Sequence, residues 1–63
     1  MSERFLSVEA LAEWLDVPPK TIHTWRYKGK GPPAFRVGRF LRFDPDDVRA
    51  WLDRQRVDPE ARR

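Results

Sequence analysis

Leu15-Asp16-Val17-Pro18-Pro19-Lys20-Thr21-Ile22 is the stretch on which the reading of this chain turns. Pro18 drives Val17 out of helical geometry, and Pro19 suits the first position of a new helix, where a missing N–H costs nothing. One helix must therefore stop before this stretch and another must start inside it. Upstream, Val8, Leu11, Ala12 and Leu15 recur at helical spacing and make one apolar stripe. Ser7 is placed to cap that first helix, and Glu9 falls in its first turn, where negative charge suits the helix dipole. Downstream, Ile22 and Trp25 provide a narrow core face, with Val17 packing from before it. The spacing predicts a second helix from about Pro19 to Lys28, closed by Gly29 in left-handed geometry. Two short helices joined by so tight a turn form a helix-turn-helix.

Beyond the second helix, Gly31-Pro32-Pro33 cannot be helical and serves as a stiff connector. In Ala34 to Phe43, Phe35 and Val37 alternate with Arg36, and Leu41 and Phe43 alternate with Arg42. Gly38-Arg39 fits a two-residue type II′ hairpin turn with Gly first. The alternation predicts the apolar side chains on one side of the hairpin, Arg36 and Arg42 on the other, and Phe40 at the tip pointing outward. Asp44 then caps a third helix opened by Pro45, with Asp46 and Asp47 in its first turn and Val48, Trp51 and Leu52 as its buried stripe. Trp14, on the flank of the first helix, is expected to lie partly buried against the third. The expected fold is α+β, a small winged helix-turn-helix of order helix, helix, β-hairpin wing, helix. It forms one domain over residues 1–56, with a frayed tail over 57–63.

Composition narrows the function. A chain of 63 residues supports one domain, and at this size folding hides only about 60% of the surface that the unfolded chain exposes. With no Cys there is no disulfide framework and no thiolate zinc site. The lone His23 has no acid within six residues of it in sequence, so neither a metal site nor acid–base catalysis is expected there. No apolar run is long enough for a membrane span or a secretory segment. These features predict a cytoplasmic, non-enzymatic binding module that needs no cofactor and does not engage a membrane.

The net charge of +3 conceals a strong asymmetry. Lys20, Arg26, Lys28, Lys30, Arg36, Arg39 and Arg42 fall between Val17 and Phe43, a stretch without a single Asp or Glu. The remaining six basic residues stand against all ten acidic ones. A basic centre between acidic flanks points to a polyanionic partner, with nucleic acid ahead of an anionic membrane surface.

On a helical wheel defined by Ile22 and Trp25, the opposite face of the second helix carries Lys20, His23, Thr24 and Tyr27, with Thr21 and Lys28 at its border. Arg26 lies nearer the core edge, placed to reach a phosphate sideways or to cover Trp25 with its stem. These groups can hydrogen-bond base edges or phosphates, although any surface helix also has a polar outer face. Arg36, Arg39 and Arg42 on the hairpin, with Lys30 before it, are the candidate backbone and minor-groove contacts. Protection of an edge strand would need fewer charges. Trp14, Phe40 and the third helix leave open a different reading, in which the domain is a protein-interaction adapter.

Leu6-Ser7-Val8-Glu9-Ala10-Leu11-Ala12-Glu13-Trp14-Leu15 followed by Val17, Lys20-Thr21-Ile22 and Trp25 resembles the opening of the excisionase-type, MerR-like winged-helix DNA-binding domains. Phe35-Arg36-Val37-Gly38-Arg39 with Arg42-Phe43, then Asp47-Val48 and Ala50-Trp51-Leu52, resembles their wing and last helix. The resemblance spans roughly residues 5–55. It implies a recognition helix in the major groove, wing arginines at the minor groove or backbone, and a role as a recombination directionality factor or a small transcriptional regulator. A phage-type integrase is the further partner implied by the first role. Three positions depart from the family pattern. Asp16 stands where Gly is usual, Pro18 replaces a Ser or Thr cap, and Thr24 occupies a site often held by Arg. Without that cap, the free N–H groups that open the second helix are expected to serve a DNA phosphate. Neither a long dimerising helix nor an effector domain is expected, and the expectation is a monomer when free. One module makes few base contacts, each discriminating by ~1–3 kcal/mol, so several copies are expected to bind DNA cooperatively.

Overall fold

The elements follow in the expected order: α1 (Val8–Leu15), α2 (Pro19–Tyr27), β1 (Phe35–Val37), β2 (Phe40–Arg42) and α3 (Pro45–Arg54). The computed structural model describes residues 4–57, so all of the expected tail except Val57 lies outside the described residues. Two helices start on side-chain caps. Ser7 Oγ accepts from the Ala10 N–H at 3.0 Å, and Asp44 Oδ1 accepts from the Asp46 N–H at 2.8 Å, with Pro45 opening α3. α2 has no such acceptor, because Pro18 is its cap residue.

α1 and α2 end in the same way. The Val17 N–H reaches the Ala12 carbonyl at 3.0 Å and the Asp16 N–H reaches Glu13 at 3.2 Å, a pattern repeated by Lys30 to Trp25 (2.7 Å) and Gly29 to Arg26 (3.1 Å). These are Schellman closures, which require a left-handed residue. Gly29 supplies it for α2, but α1 uses Asp16 at φ 60°, ψ 44°. A side chain in this conformation is strained, and a negative charge at a helix C-terminus opposes the dipole. Asp16→Gly is therefore expected to stabilise the fold by about 0.5–1 kcal/mol, read as a rise of a few degrees in Tm. A fall in Tm would show that the Asp16 side chain makes a compensating contact.

The core comprises Val8, Leu11, Ala12, Ile22, Phe43 and Val48, with Leu6, Leu15, Val17, Trp25, Ala34, Leu41 and Leu52 packed around it. Leu6 and Phe43 exchange both backbone hydrogen bonds, at 2.7 and 2.9 Å, so the N-terminal segment runs along the end of the hairpin. Trp25 of α2 meets Trp51 of α3 with ring centroids 5.4 Å apart. Trp14, 40% exposed, lies under Arg49 of α3, which matches the partial burial expected of it.

The hairpin register is Phe35 with Arg42, Arg36 with Leu41 and Val37 with Phe40. Gly38 has φ 65° and Arg39 does not have positive φ, as a type II′ turn requires. The expected sorting of faces is corrected by this register. Residues directly opposite each other in an antiparallel pair point to the same side. Phe35, Val37, Phe40 and Arg42 therefore share the outer face, while Arg36 shares the inner face with Leu41. Side chains alternate along each strand as expected, but the two-residue turn sets β2 in antiphase to the sorting that alternation alone predicts. Phe35, Val37 and Phe40 are consequently 46%, 51% and 56% exposed. Among the described residues no helix is long and apolar enough to cross a membrane.

Candidate nucleic-acid interface

α2 buries Ile22 and half-buries Trp25, which turns Lys20, His23, Thr24, Tyr27 and Lys28 to the exposed side, with Thr21 half-buried at the border. Tyr27 is 91% exposed at the end of the helix. Arg26 is exposed as well. The uncapped start of α2 offers less than its sequence suggests. Pro19 has no N–H, and the Thr21 N–H is bonded to the Pro18 carbonyl at 2.9 Å. Of the first three positions, Lys20 alone is left with an N–H outside this pattern.

The wing lies against this helix. His23 of α2 and Arg36, Arg39, Phe40 and Arg42 of the hairpin line one open cleft of about 300 Å³. Although Arg36 and Arg42 leave opposite faces of the ribbon, a two-stranded ribbon is narrow enough for both to reach its rim. Arg42 is fixed there. Its guanidinium lies 5.2 Å from the centre of the Phe40 ring and donates to the Leu41 carbonyl at 2.7 Å. A planar cation held this way loses less freedom on meeting an anion. Lys30 is placed elsewhere, in a second cleft between the C-terminal ends of α2 and α3.

Pairing separates the basic centre from the flanks. The ion pairs Arg49–Asp46 (3.2 Å) and Arg56–Asp53 (2.8 Å) both involve cations of α3 or the residues just after it. Among the described residues, none of the seven basic residues between Val17 and Phe43 has an acidic partner in an ion pair. That charge is not ion-paired, and apart from Lys30 it gathers along α2 and the wing, the arrangement that a phosphate backbone would neutralise. No group of three or more metal-ligating side chains occurs among the described residues.

Glu9 is the residue that sequence reasoning missed. Its place in the first turn suits the dipole of α1, yet it also lines the same cleft as His23 and the wing arginines. It arrives there because the Leu6–Phe43 bridge brings the first turn of α1 beside the hairpin. A single bridging pair leaves no periodic signal in a sequence.

The fold agrees with the comparison against known families. The family described as a helix-turn-helix domain matches the chain over residues 5–56. No curated protein and no solved structure matches the chain significantly. The match takes in α1, α2, the hairpin and α3, that is, every element that builds the basic surface. The chain belongs to the helix-turn-helix domain family, which includes excisionase-type small DNA-binding proteins, and its membership supports sequence-specific binding to double-stranded DNA.

Proposed function

We propose that the protein is an excisionase, a recombination directionality factor that binds attachment-site DNA in several cooperating copies, bends it, and so assists a phage-type integrase in excision. In this reading Lys20, Thr21, His23, Thr24, Tyr27 and Lys28 enter the major groove. Arg36, Arg39 and Arg42 follow the backbone into the adjacent minor groove and Arg26 holds a flanking phosphate, while Lys30, turned to the cleft between α2 and α3, lies away from this contact. The observation that carries the reading is the cleft in which His23 of α2 meets three wing arginines without any ion-paired acid. A recognition helix and a wing that share one basic rim can straddle a phosphate strand between two grooves.

The outer face of the wing supports bending over simple occupancy. Phe40 at the tip, backed by Arg42, offers an apolar group beside cations. Apolar side chains inserted at a minor groove unstack base steps and kink the duplex, and arginine favours the narrowed groove that results. A small MerR-like transcriptional regulator is the alternative, and one that acts by simply occupying its site needs no bend.

Selection of binding sites from a random duplex library, followed by salt titration and an end-to-end energy-transfer measurement of bending, tests the proposal. With 4–6 phosphates contacted, the slope of log affinity against log salt should lie at about −4 to −5. A flat salt response, or no enriched site, would remove the DNA reading in favour of a protein-interaction adapter. A steep slope on an unbent duplex would favour the regulator.

A further inference from the structure

We propose that copies of this chain associate head to tail, the Trp14 side of α1 in one copy docking into the Trp25–Trp51 cleft of the next. The inference deepens the cooperative binding proposed above by naming its surfaces, and it rests on that reading only for its role on DNA.

The receiving surface is an open cleft of about 550 Å³ between the C-terminal ends of α2 and α3. Trp25 and Trp51 form its floor, with rings tilted by 46° and both only half-buried. Gly31 forms one wall. It has φ 88°, and a Cβ there would stand 3.2 Å from Trp25 Cβ, so any larger residue would press on the floor. Lys30 and Arg54 stand at the rim, no acidic residue lines the cleft, and Arg54 has no ion pair among the described residues. An aromatic floor under two uncompensated cations fits an aromatic side chain carried beside carboxylates. The cleft lies on the core side of α2, opposite His23 and Tyr27, so DNA on the outer face would leave it open.

α1 carries the matching surface. Trp14 is 40% exposed even though the Arg49 guanidinium lies over its ring at 5.5 Å, so an aromatic surface is left open to a partner. Glu13 and Asp16, both exposed, flank it, and neither has an ion pair among the described residues. The acidic flank of the chain thus offers an aromatic knob, and the basic centre offers an aromatic cleft. Tryptophan and arginine are the residues most often found at the energetic centre of protein interfaces.

The placement of the two surfaces determines the kind of assembly. Arg49, which touches Trp14, and Trp51, which touches Trp25, are two residues apart on α3 and so point about 200° apart around its axis. Knob and cleft lie on opposite sides of the molecule. Patches on opposite sides cannot meet reciprocally across one two-fold axis, so the contact is head to tail. Where its rotation does not close a ring, it propagates from copy to copy, as binding to a row of sites requires.

Two measurements on the full chain test this. The first needs no DNA: the three Trp indole N–H resonances are followed by NMR from about 20 µM to about 1 mM protein, the range of a weak contact. Trp14, Trp25 and Trp51 should shift together with concentration. Arg54→Glu and Glu13→Arg should each abolish the shifts, and the double variant, which exchanges the charges across the junction, should restore them. The second compares a duplex carrying one selected site with a duplex carrying two in tandem. Each single variant should reduce cooperativity on the tandem duplex about tenfold while changing single-site affinity less than about twofold, and the double variant should recover it. Concentration-independent indole shifts with non-cooperative tandem binding would overturn the proposal. So would a double variant no better than the singles. Shifts that appear only on adding a short acidic, Trp-containing peptide would also overturn it, giving the cleft to a different protein partner. If no DNA site is enriched, the DNA reading fails while the first measurement still decides this one.

Discussion

Replacing Arg39 and Arg42 together with Ala is expected to weaken duplex binding by about 2–3 kcal/mol, or 30- to 150-fold, on every sequence tested. The pair should also reduce the steepness of the salt dependence by about 2, one unit for each phosphate contact removed. Arg39 sits in the turn of the wing beside Gly38 and has no ion pair among the described residues, so its charge is spent on nothing within the fold. Arg42 is already oriented by the Phe40 ring and the Leu41 carbonyl, so it meets a phosphate at little further entropic cost. Neither residue belongs to the core, and Tm should fall by only a few degrees. Arg42→Lys keeps the charge but loses the planar stack and the two-pronged geometry, so it should restore the salt slope and only part of the affinity. Thr24→Ala and Tyr27→Phe are the contrasting pair. They should change which bases are preferred while leaving the slope nearly as it was, since they carry no charge. If the wing substitutions altered base preference and the helix substitutions altered the slope, the assignment of the two surfaces would have to be exchanged.

Most of the fold was legible because it depends on local chemistry. Ser7 and Asp44 announce helix starts, Pro18-Pro19 forces the turn, and Gly38-Arg39 sets the hairpin, and each acts within a few residues of its place in the chain. The charge layout was legible for the same reason, because an acid-free stretch remains acid-free however it folds. Facing was not legible in the wing. Whether Phe35 or Arg36 points inward depends on which residue of β2 stands opposite, and a two-residue turn reverses the answer that simple alternation suggests. The position of Glu9 was hidden as well, since it follows from one bridge between Leu6 and Phe43, far apart in sequence. The uncapped start of α2 was legible, but the number of donors it leaves was not, because the Pro18 carbonyl takes up the Thr21 N–H. Sequence pattern thus located the basic surface along the chain, and long-range pairing decided which side chains share it.

Phe43→Ala is expected to unfold the protein at 25 °C. Phe43 is fully buried among Val8, Leu11, Ile22 and Val48, the core cluster of the described residues. Truncating a buried Phe costs about 3–5 kcal/mol, and a domain of this size rarely has more than about 3–5 kcal/mol in total. The position also holds three segments together. Its N–H and carbonyl bind Leu6, its strand neighbour Arg42 pairs with Phe35, and the next residue, Asp44, caps α3. Loss of the ring would therefore release the N-terminal segment, the wing and α3 at once, and with them the cleft that joins His23 to the arginines. Circular dichroism should show helical signal well below that of the parent and no cooperative melt. Phe43→Leu keeps most of the buried volume and should remain folded, with a cost of about 1 kcal/mol and a Tm lower by roughly 4–8 °C. Below its melting point the Leu variant should bind the selected duplex as the parent does, because the substitution touches no exposed cation. A Phe43→Ala protein that melts cooperatively within a few degrees of the parent would mean that Trp25 and Trp51 carry a second core able to hold the domain without the first.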